Sequence, residues 1–249
     1  MLAAERWHKI VEIVNERGSI RVTELSELCG VTEETIRRDL DRLEAEGKLM
    51  RSHGGAVCLK DNQPELSYTI REATNLTEKQ RIAREAARLV EPNDRIILDA
   101  SSTAWCMAAI LPDIPLTVLT NSIRVALELS SKEKIQVIST GGIVSSRSLS
   151  FVGPLAERSL QQYHVDKAFI SCRGIHPERG ISDSNELQGR IKQQMIAIAD
   201  RVILLADFSK FGVQAFAQVA DWEQIDTVVT DEQMDRMFTE NIRELIIAR

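Results

Sequence analysis

Apolar positions in the first sixty residues recur every three or four places. Ile10, Val11, Ile13 and Val14 stand among charges within residues 3–17 and predict an amphipathic helix ending at Gly18. Ser19-Ile20-Arg21 reads as short and extended. Val22 to Leu28 predicts a second helix with Leu25 and Leu28 inward, and Cys29-Gly30 a tight corner that uses glycine's backbone freedom. A third helix opens at Thr32, a good N-cap. Glu33 and Glu34 fill its first turn, where the helix dipole favours negative charge. Ile36, Leu40 and Leu43 form its core stripe, and Gly47 stops it after about Glu46. Lys48 to Arg51 then reads as a strand, Ser52-His53-Gly54-Gly55 as a hairpin tip and Ala56 to Leu59 as the return. Three helices and a β-hairpin in this order predict a winged helix-turn-helix.

The pattern then changes. Residues 60–76 mix charges with Pro64 and read as a linker with a short helical portion. Thr77 and Gln80 have the spacing of a capping box, opening a helix to about Val90. Beyond it, apolar β-type runs alternate with amphipathic helices. The runs start at Arg95, Leu116, Ile135, Asp166, Arg201 and Thr227. This alternation predicts a mostly parallel sheet covered by helices on both faces. The expected class is α/β with an N-terminal winged helix-turn-helix. The expected division is residues 1–59 for DNA binding, 60–76 as linker and 77–249 for effector binding and oligomerisation.

Charge limits how the first part can meet DNA. The 249-residue chain has a net charge of −6, and residues 1–57 hold nine Lys+Arg against eleven Asp+Glu. A broadly basic coat is excluded, so any DNA contact must come from placement. A short helix backed by a core, with arginines near its N-terminus, suits the major groove. The candidate DNA-binding residues are Thr32, Thr35, Arg37, Arg38 and Arg42, with Arg51 and His53 on the wing. Cys29, Cys58, Cys106 and Cys172 lack CxxC spacing and read as free thiols; they leave a redox regulator as a minor reading. The four histidines form no metal-ligand pair, and neither metal nor cofactor is expected. No apolar run reaches a membrane span and no signal-peptide pattern opens the chain, so a cytoplasmic location is expected.

In open parallel sheets ligands bind beyond the C-terminal strand ends. Asp99, Ser101, Ser102 and Thr103 follow the first strand, and Thr120, Asn121 and Ser122 the second. Hydroxyls at helix N-termini suit a phosphate, although such residues also commonly cap helices. Gly141-Gly142, Arg173, Asp183 and Lys210 follow later strands or enter loops, and complete a candidate effector set. Lys192, on the helix after the Asp183 loop, reads as either a pocket residue or half of a solvated ion pair.

Thr35-Ile36-Arg37-Arg38-Asp39-Leu40, Gly47-Lys48-Leu49 and His53-Gly54-Gly55-Ala56 resemble the signature of the DeoR family of bacterial sugar-metabolism regulators. Asp99-x-Ser-Ser-Thr103, Thr120-Asn121-Ser122, Gly141-Gly142 and Asp207-x-Ser-Lys210 resemble its effector domain. The resemblance implies a domain similar to ribose-5-phosphate isomerase and glucosamine-6-phosphate deaminase, and a phosphorylated sugar as effector. Ser101-Ser102 stands where the family commonly has Gly-Thr. With Ser171 to Gly174 and Ser182 to Asn185, this departure resembles regulators of fucose or related deoxyhexoses, and implies a ketose 1-phosphate. The expected protein is a repressor of a carbohydrate catabolic operon. It would bind double-stranded operator DNA as a homo-oligomer, dimer or tetramer. The alternative is a sugar-phosphate isomerase or deaminase with an appended DNA-binding part.

Overall fold

The computed structural model describes residues 2–17, 19–46, 48–52, 54–57 and 65–249; for Asn15 and Glu16 only the backbone is described. His53, Gly47 and the end of the wing's return strand, Cys58-Leu59, lie outside the described residues.

The N-terminal part is a winged helix-turn-helix. Its elements are α1 (Ala3–Arg17), β1 (Ser19–Arg21), α2 (Val22–Cys29), α3 (Glu33–Ala45), β2 (Met50–Ser52) and β3 (Gly55–Val57). The three strands pair antiparallel in the order β1-β3-β2. Gly30 closes the corner with φ +64°, its N–H donating to the carbonyls of Ser26 and Glu27. Thr32 caps α3, its side chain accepting from the Thr35 N–H. Ile10, Val14, Ile20, Leu25, Ile36, Leu40 and Leu43 are fully buried and make one core. Leu28 is exposed, and Val22, Leu25 and Cys29 form the inner face of α2 instead.

The stretch read as linker carries a helix, α4 (Tyr68–Ala73), which packs on the larger domain. The next helix, α5 (Leu76–Ala87), starts two residues earlier than expected. Asn75, in the left-handed region at φ 52°, is its N-cap, and no side chain caps it. Thr77 therefore lies inside the first turn, and the capping box is not formed.

The larger domain is built on a seven-stranded parallel sheet. Its strands are β4 (Arg95–Leu98), β5 (Leu116–Thr120), β6 (Ile135–Ser139), β9 (Val165–Ile170), β12 (Ala199–Leu205), β14 (Thr227–Asp231) and β15 (Glu244–Ala248). They lie in the order β15-β14-β12-β9-β4-β5-β6. Successive residues point to opposite faces and sort into two cores. Ile96, Leu98, Val118, Phe169, Ile203 and Val229 pack with α5, α6 (Ser102–Ile110) and α7 (Ile123–Leu129). Ile97, Leu119, Ile170, Leu204 and Val228 pack with α8 (Pro154–Leu160) and α9 (Glu186–Ala197). Burying each of these large side chains contributes roughly 1.5–3 kcal/mol. A hairpin of β7 (Ile143–Ser145) and β8 (Ser150–Val152) and a sheet of β10 (Gly174–His176), β11 (Gly180–Asp183) and β13 (Ala217–Ala220) flank the main sheet. The pattern of apolar runs missed these short strands and β15. No described helix is long and apolar enough to cross a membrane.

Strand order runs outward from β4 through β5 and β6 on one side, and from β9 through β12, β14 and β15 on the other. The junction of β4 and β9 is thus a topological switch point, where the connecting segments diverge and leave a crevice.

Candidate functional site: a cation-lined cavity and the exposed face of α3

The crevice is a cavity at the C-terminal ends of β4, β9 and β12. Ser101, Ser102 and Thr103 line it from β4, Cys172 and Arg173 from β9, and Asp207 and Lys210 from β12. Arg71 of α4, Thr74 and Asn75 before α5, Lys79 of α5, Asp183 at the end of β11 and Lys192 of α9 complete its wall. The linker-like sequence thus hid Arg71, and Lys79 in the next helix carried no signal beyond its charge.

Each polar wall is fixed by its own hydrogen bonds. Asp99 lies beneath the cavity, 1% exposed, and accepts from the Ser101 N–H at 3.0 Å and the Ser171 N–H at 2.9 Å. It also binds Lys192 Nζ at 2.6 Å, and Asp183 stands 3.5 Å from the same ammonium. Burial works against the Lys192 charge, but Asp99 and Asp183 outweigh it and raise its pKa. Lys192 is therefore a buried pair member and not a solvated one. Ser101 caps α6 through the Ala104 N–H at 3.0 Å, and Ser102 Oγ donates to the Arg71 carbonyl at 3.2 Å.

Positive charge exceeds what the carboxylates neutralise. Burial, with help from Arg173 and Arg71, depresses the Lys210 pKa even though Asp207 lies 3.9 Å away. Burial likewise lowers Lys79 to about 8, while its ammonium donates to the carbonyls of Arg71 and Thr74. Burial favours neutral Asp207, but Lys210 and Lys79 hold its pKa below the ordinary value. Nε and Nη2 of Arg71 are buried without a hydrogen-bond partner among the described residues, and its nearest carboxylate, Glu65, is 3.9 Å off. Buried donors in that state cost free energy that an anion would recover.

The other effector candidates do not reach this cavity. Thr120 Oγ1 donates to the Leu98 carbonyl at 2.6 Å and accepts from the Ser122 N–H. Asn121 holds the Phe151 carbonyl, and Ser122 caps α7 through the Val125 N–H at 3.1 Å. Gly141 and Gly142 both have positive φ, and a Cβ on Gly142 would lie 2.9 Å from the Val152 carbonyl oxygen. All of these residues follow β5 or β6, on the far side of β4 from β9, and serve the local turns. Cys172 lines the cavity, but burial pushes its thiol up to about 12, so it is no reactive thiolate. Cys29, Cys106 and Cys172 are buried free thiols; Cys58 lies outside the described residues. Among the described residues no cluster of His, Cys, Asp or Glu has the makings of a metal site.

On α3, Arg37 and Arg38 share the exposed N-terminal face. They are held at i,i+4 spacing by Glu33 (2.8 Å) and Glu34 (3.4 Å). Arg38 is the more open, its side chain 78% exposed. Thr35 Oγ1 lies 2.9 Å from Thr32 Oγ1, at the cap. Arg42 instead stacks over Trp7, 3.8 Å from the ring centroid, and pairs with Glu46. Arg51 pairs with Asp41 and its N–H donates to Glu44, which ties the wing to α3. Asp39 carries a role that the motif alone does not disclose. It is nearly buried and binds Arg6 Nε and Trp7 Nε1, each at 2.6 Å, locking α1 to α3.

Together these features define a ligand-sensing DNA-binding protein. Residues 6–62 match the DeoR-like helix-turn-helix domain and residues 74–232 the DeoR C-terminal sensor domain. The Bacillus subtilis protein named uncharacterized HTH-type transcriptional regulator YulB is 58% identical over 94% of this chain and 91% of its own length. The Haemophilus influenzae L-fucose operon activator is 40% identical over 90% of each. Ribose-5-phosphate isomerase A from Methanocaldococcus jannaschii shares 20% identity over 55% of each chain with a TM-score of 0.38, a likeness of fold alone. The chain belongs to the DeoR family of helix-turn-helix transcriptional regulators. Its close relatives are regulators and not enzymes.

Proposed function

We propose that the chain represses a deoxyhexose catabolic operon and leaves its operator when a phosphorylated sugar, a deoxyketose 1-phosphate, fills the cavity. The observation that carries the reading is the cluster of cations at the switch point, buried Lys79 with the half-buried Arg71 and Lys210, beside the Ser101–Thr103 helix start, where two Arg71 nitrogens have no hydrogen-bond partner among the described residues. A dianionic phosphate would relieve their mutual repulsion, and the hydroxyls would orient the sugar. The L-fucose operon activator among the relatives supports the sugar class. The Bacillus subtilis HTH-type transcriptional repressor GlcR, 38% identical over 96% of this chain, supports repression as the sign of control.

In this reading Arg37 and Arg38 contact bases and phosphates, and Thr32 and Thr35 fix register at the helix start. Arg42 and Arg51 act by holding the helix and wing in place. The protein acts as a homo-oligomer whose symmetry matches a palindromic operator. The effector domain includes α4, which packs on α6.

The test is a thermal-shift screen against sugar phosphates, followed by operator retention with the hits. A ligand selective for the folded state raises the melting temperature, by about 2.7 kcal/mol of stability at one hundred times Kd. A shift with fuculose or rhamnulose 1-phosphate, absent with the free sugars, and release of operator duplex are expected. No shift with any sugar phosphate refutes the reading.

A further inference from the structure

The cavity is not walled by the sensor domain alone. Arg17, the last residue of α1, and Ser19, the first of β1, line it together with Ser102, Arg71 and Lys210. Ser19 is 4% exposed, so this part of the DNA-binding domain is seated and does not merely hang near the opening. Two residues further on, Arg21 holds the seat. Its guanidinium pairs with Glu78, which is buried in the first turn of α5, and lies 5.4 Å from the Phe208 ring centroid.

Both anchors belong to elements that also wall the cavity. The first turns of α5 carry Asn75 and Lys79 into it, and the turn after β12 carries Asp207 and Lys210. The same two segments therefore wall the cavity on one side and hold the DNA-binding domain on the other.

Arg17 is well suited to reach a ligand. Its one ion pair among the described residues, with Glu24, is half exposed on both sides and is screened by water. Exchanging that partner for a buried phosphate oxygen costs little, whereas Lys192 and Lys79 are committed to internal acceptors.

We propose that Arg17 is an effector-binding residue, so that the ligand bridges the sensor domain and the DNA-binding domain directly. The inference rests on the sugar-phosphate reading. It turns ligand occupancy into a statement about domain position: a ligand that contacts Arg17 binds the seated arrangement more tightly than any other. By linkage it then biases the chain toward that arrangement.

The experiment is calorimetric titration of the full-length protein with fuculose 1-phosphate, alongside the variants Arg17→Gln, Arg17→Lys and Lys210→Met. Arg17→Gln is expected to weaken binding about tenfold or more, the scale of one charge-assisted hydrogen bond. Arg17→Lys should recover part of that loss, and the melting temperatures of the ligand-free proteins should match. Arg17→Gln affinity within twofold of the parent, with Lys210→Met binding lost, overturns the bridging role and leaves the effector reading standing. No binding by the parent protein overturns both.

Discussion

Asp39→Ala gives the sharpest test of how the DNA-reading helix is held. The carboxylate accepts from Arg6 Nε at 2.6 Å, Arg6 Nη2 at 3.3 Å and Trp7 Nε1 at 2.6 Å. The side chains of Arg6 and Asp39 are only 11% and 8% exposed, and the pairing raises the Arg6 pKa. Truncation leaves a nearly buried guanidinium and an indole N–H without their acceptor. Breaking a buried pair from one side costs about 3–5 kcal/mol. A domain of this size has a total stability of roughly 3–8 kcal/mol. Asp39→Ala should therefore bring the winged helix-turn-helix close to unfolding at 25 °C and abolish operator binding, while the sensor sheet keeps its own transition. Urea unfolding followed by hydrogen exchange separates the two domains. Asp41→Ala is the control, since Asp41 is 61% exposed and pairs with Arg51 at the surface; it should cost under about 1 kcal/mol. If Asp39→Ala lowers the domain's stability by no more than Asp41→Ala does, the lock between α1 and α3 is refuted.

Arg38→Ala should weaken operator binding by about 1–3 kcal/mol and relax sequence preference at one base position; equal loss on operator and random duplex would reassign Arg38 to a phosphate. Lys210→Met should weaken sugar-phosphate binding by about 1.5–3 kcal/mol, roughly 10- to 150-fold; titration within twofold of the parent would remove Lys210 from the site. Lys79, lowered to about 8 by burial, should give the site a pH dependence. An anion favours its charged form, so affinity should be steady between about pH 7 and 8, where a phosphate monoester is dianionic, and fall as pH rises through 8. Lys79→Met should flatten that profile, and an unchanged fall in the variant would assign it elsewhere.

Local pattern was enough to read the winged helix-turn-helix. Thr32, Ile36, Leu40, Leu43 and Gly30 act within one or two turns of where they stand, through capping, side-chain periodicity and backbone freedom. The parallel sheet was legible for the same reason, since apolar runs buried on both faces need helical crossovers between them. The short helical portion expected in residues 60–76 is α4, but its limits and the Asn75 cap were not legible, because α4 is short and is held by packing on α6 and not by its own propensity.

The composition of the cavity was set at a different level. From the sequence, the hydroxyl clusters after β4 and β5 look equivalent, and both occupy helix starts. Strand order separates them. Placing β9 next to β4 opens the crevice on that side, so Ser101 to Thr103 meet Arg173, Asp207 and Lys210. Thr120 to Ser122, on the side of β6, are left to cap and brace. The chain alone determined which residue types were available for an anion and for DNA. Only the tertiary structure decided which of them share one cavity, because pairing of β4 with β9 joins segments about seventy residues apart, as at Ile97 and Ala168, and helix packing then brings Lys192 to Asp99. The same long-range packing set Arg17 of the DNA-binding domain in the wall of the sensor's cavity, a neighbourhood that no local pattern records.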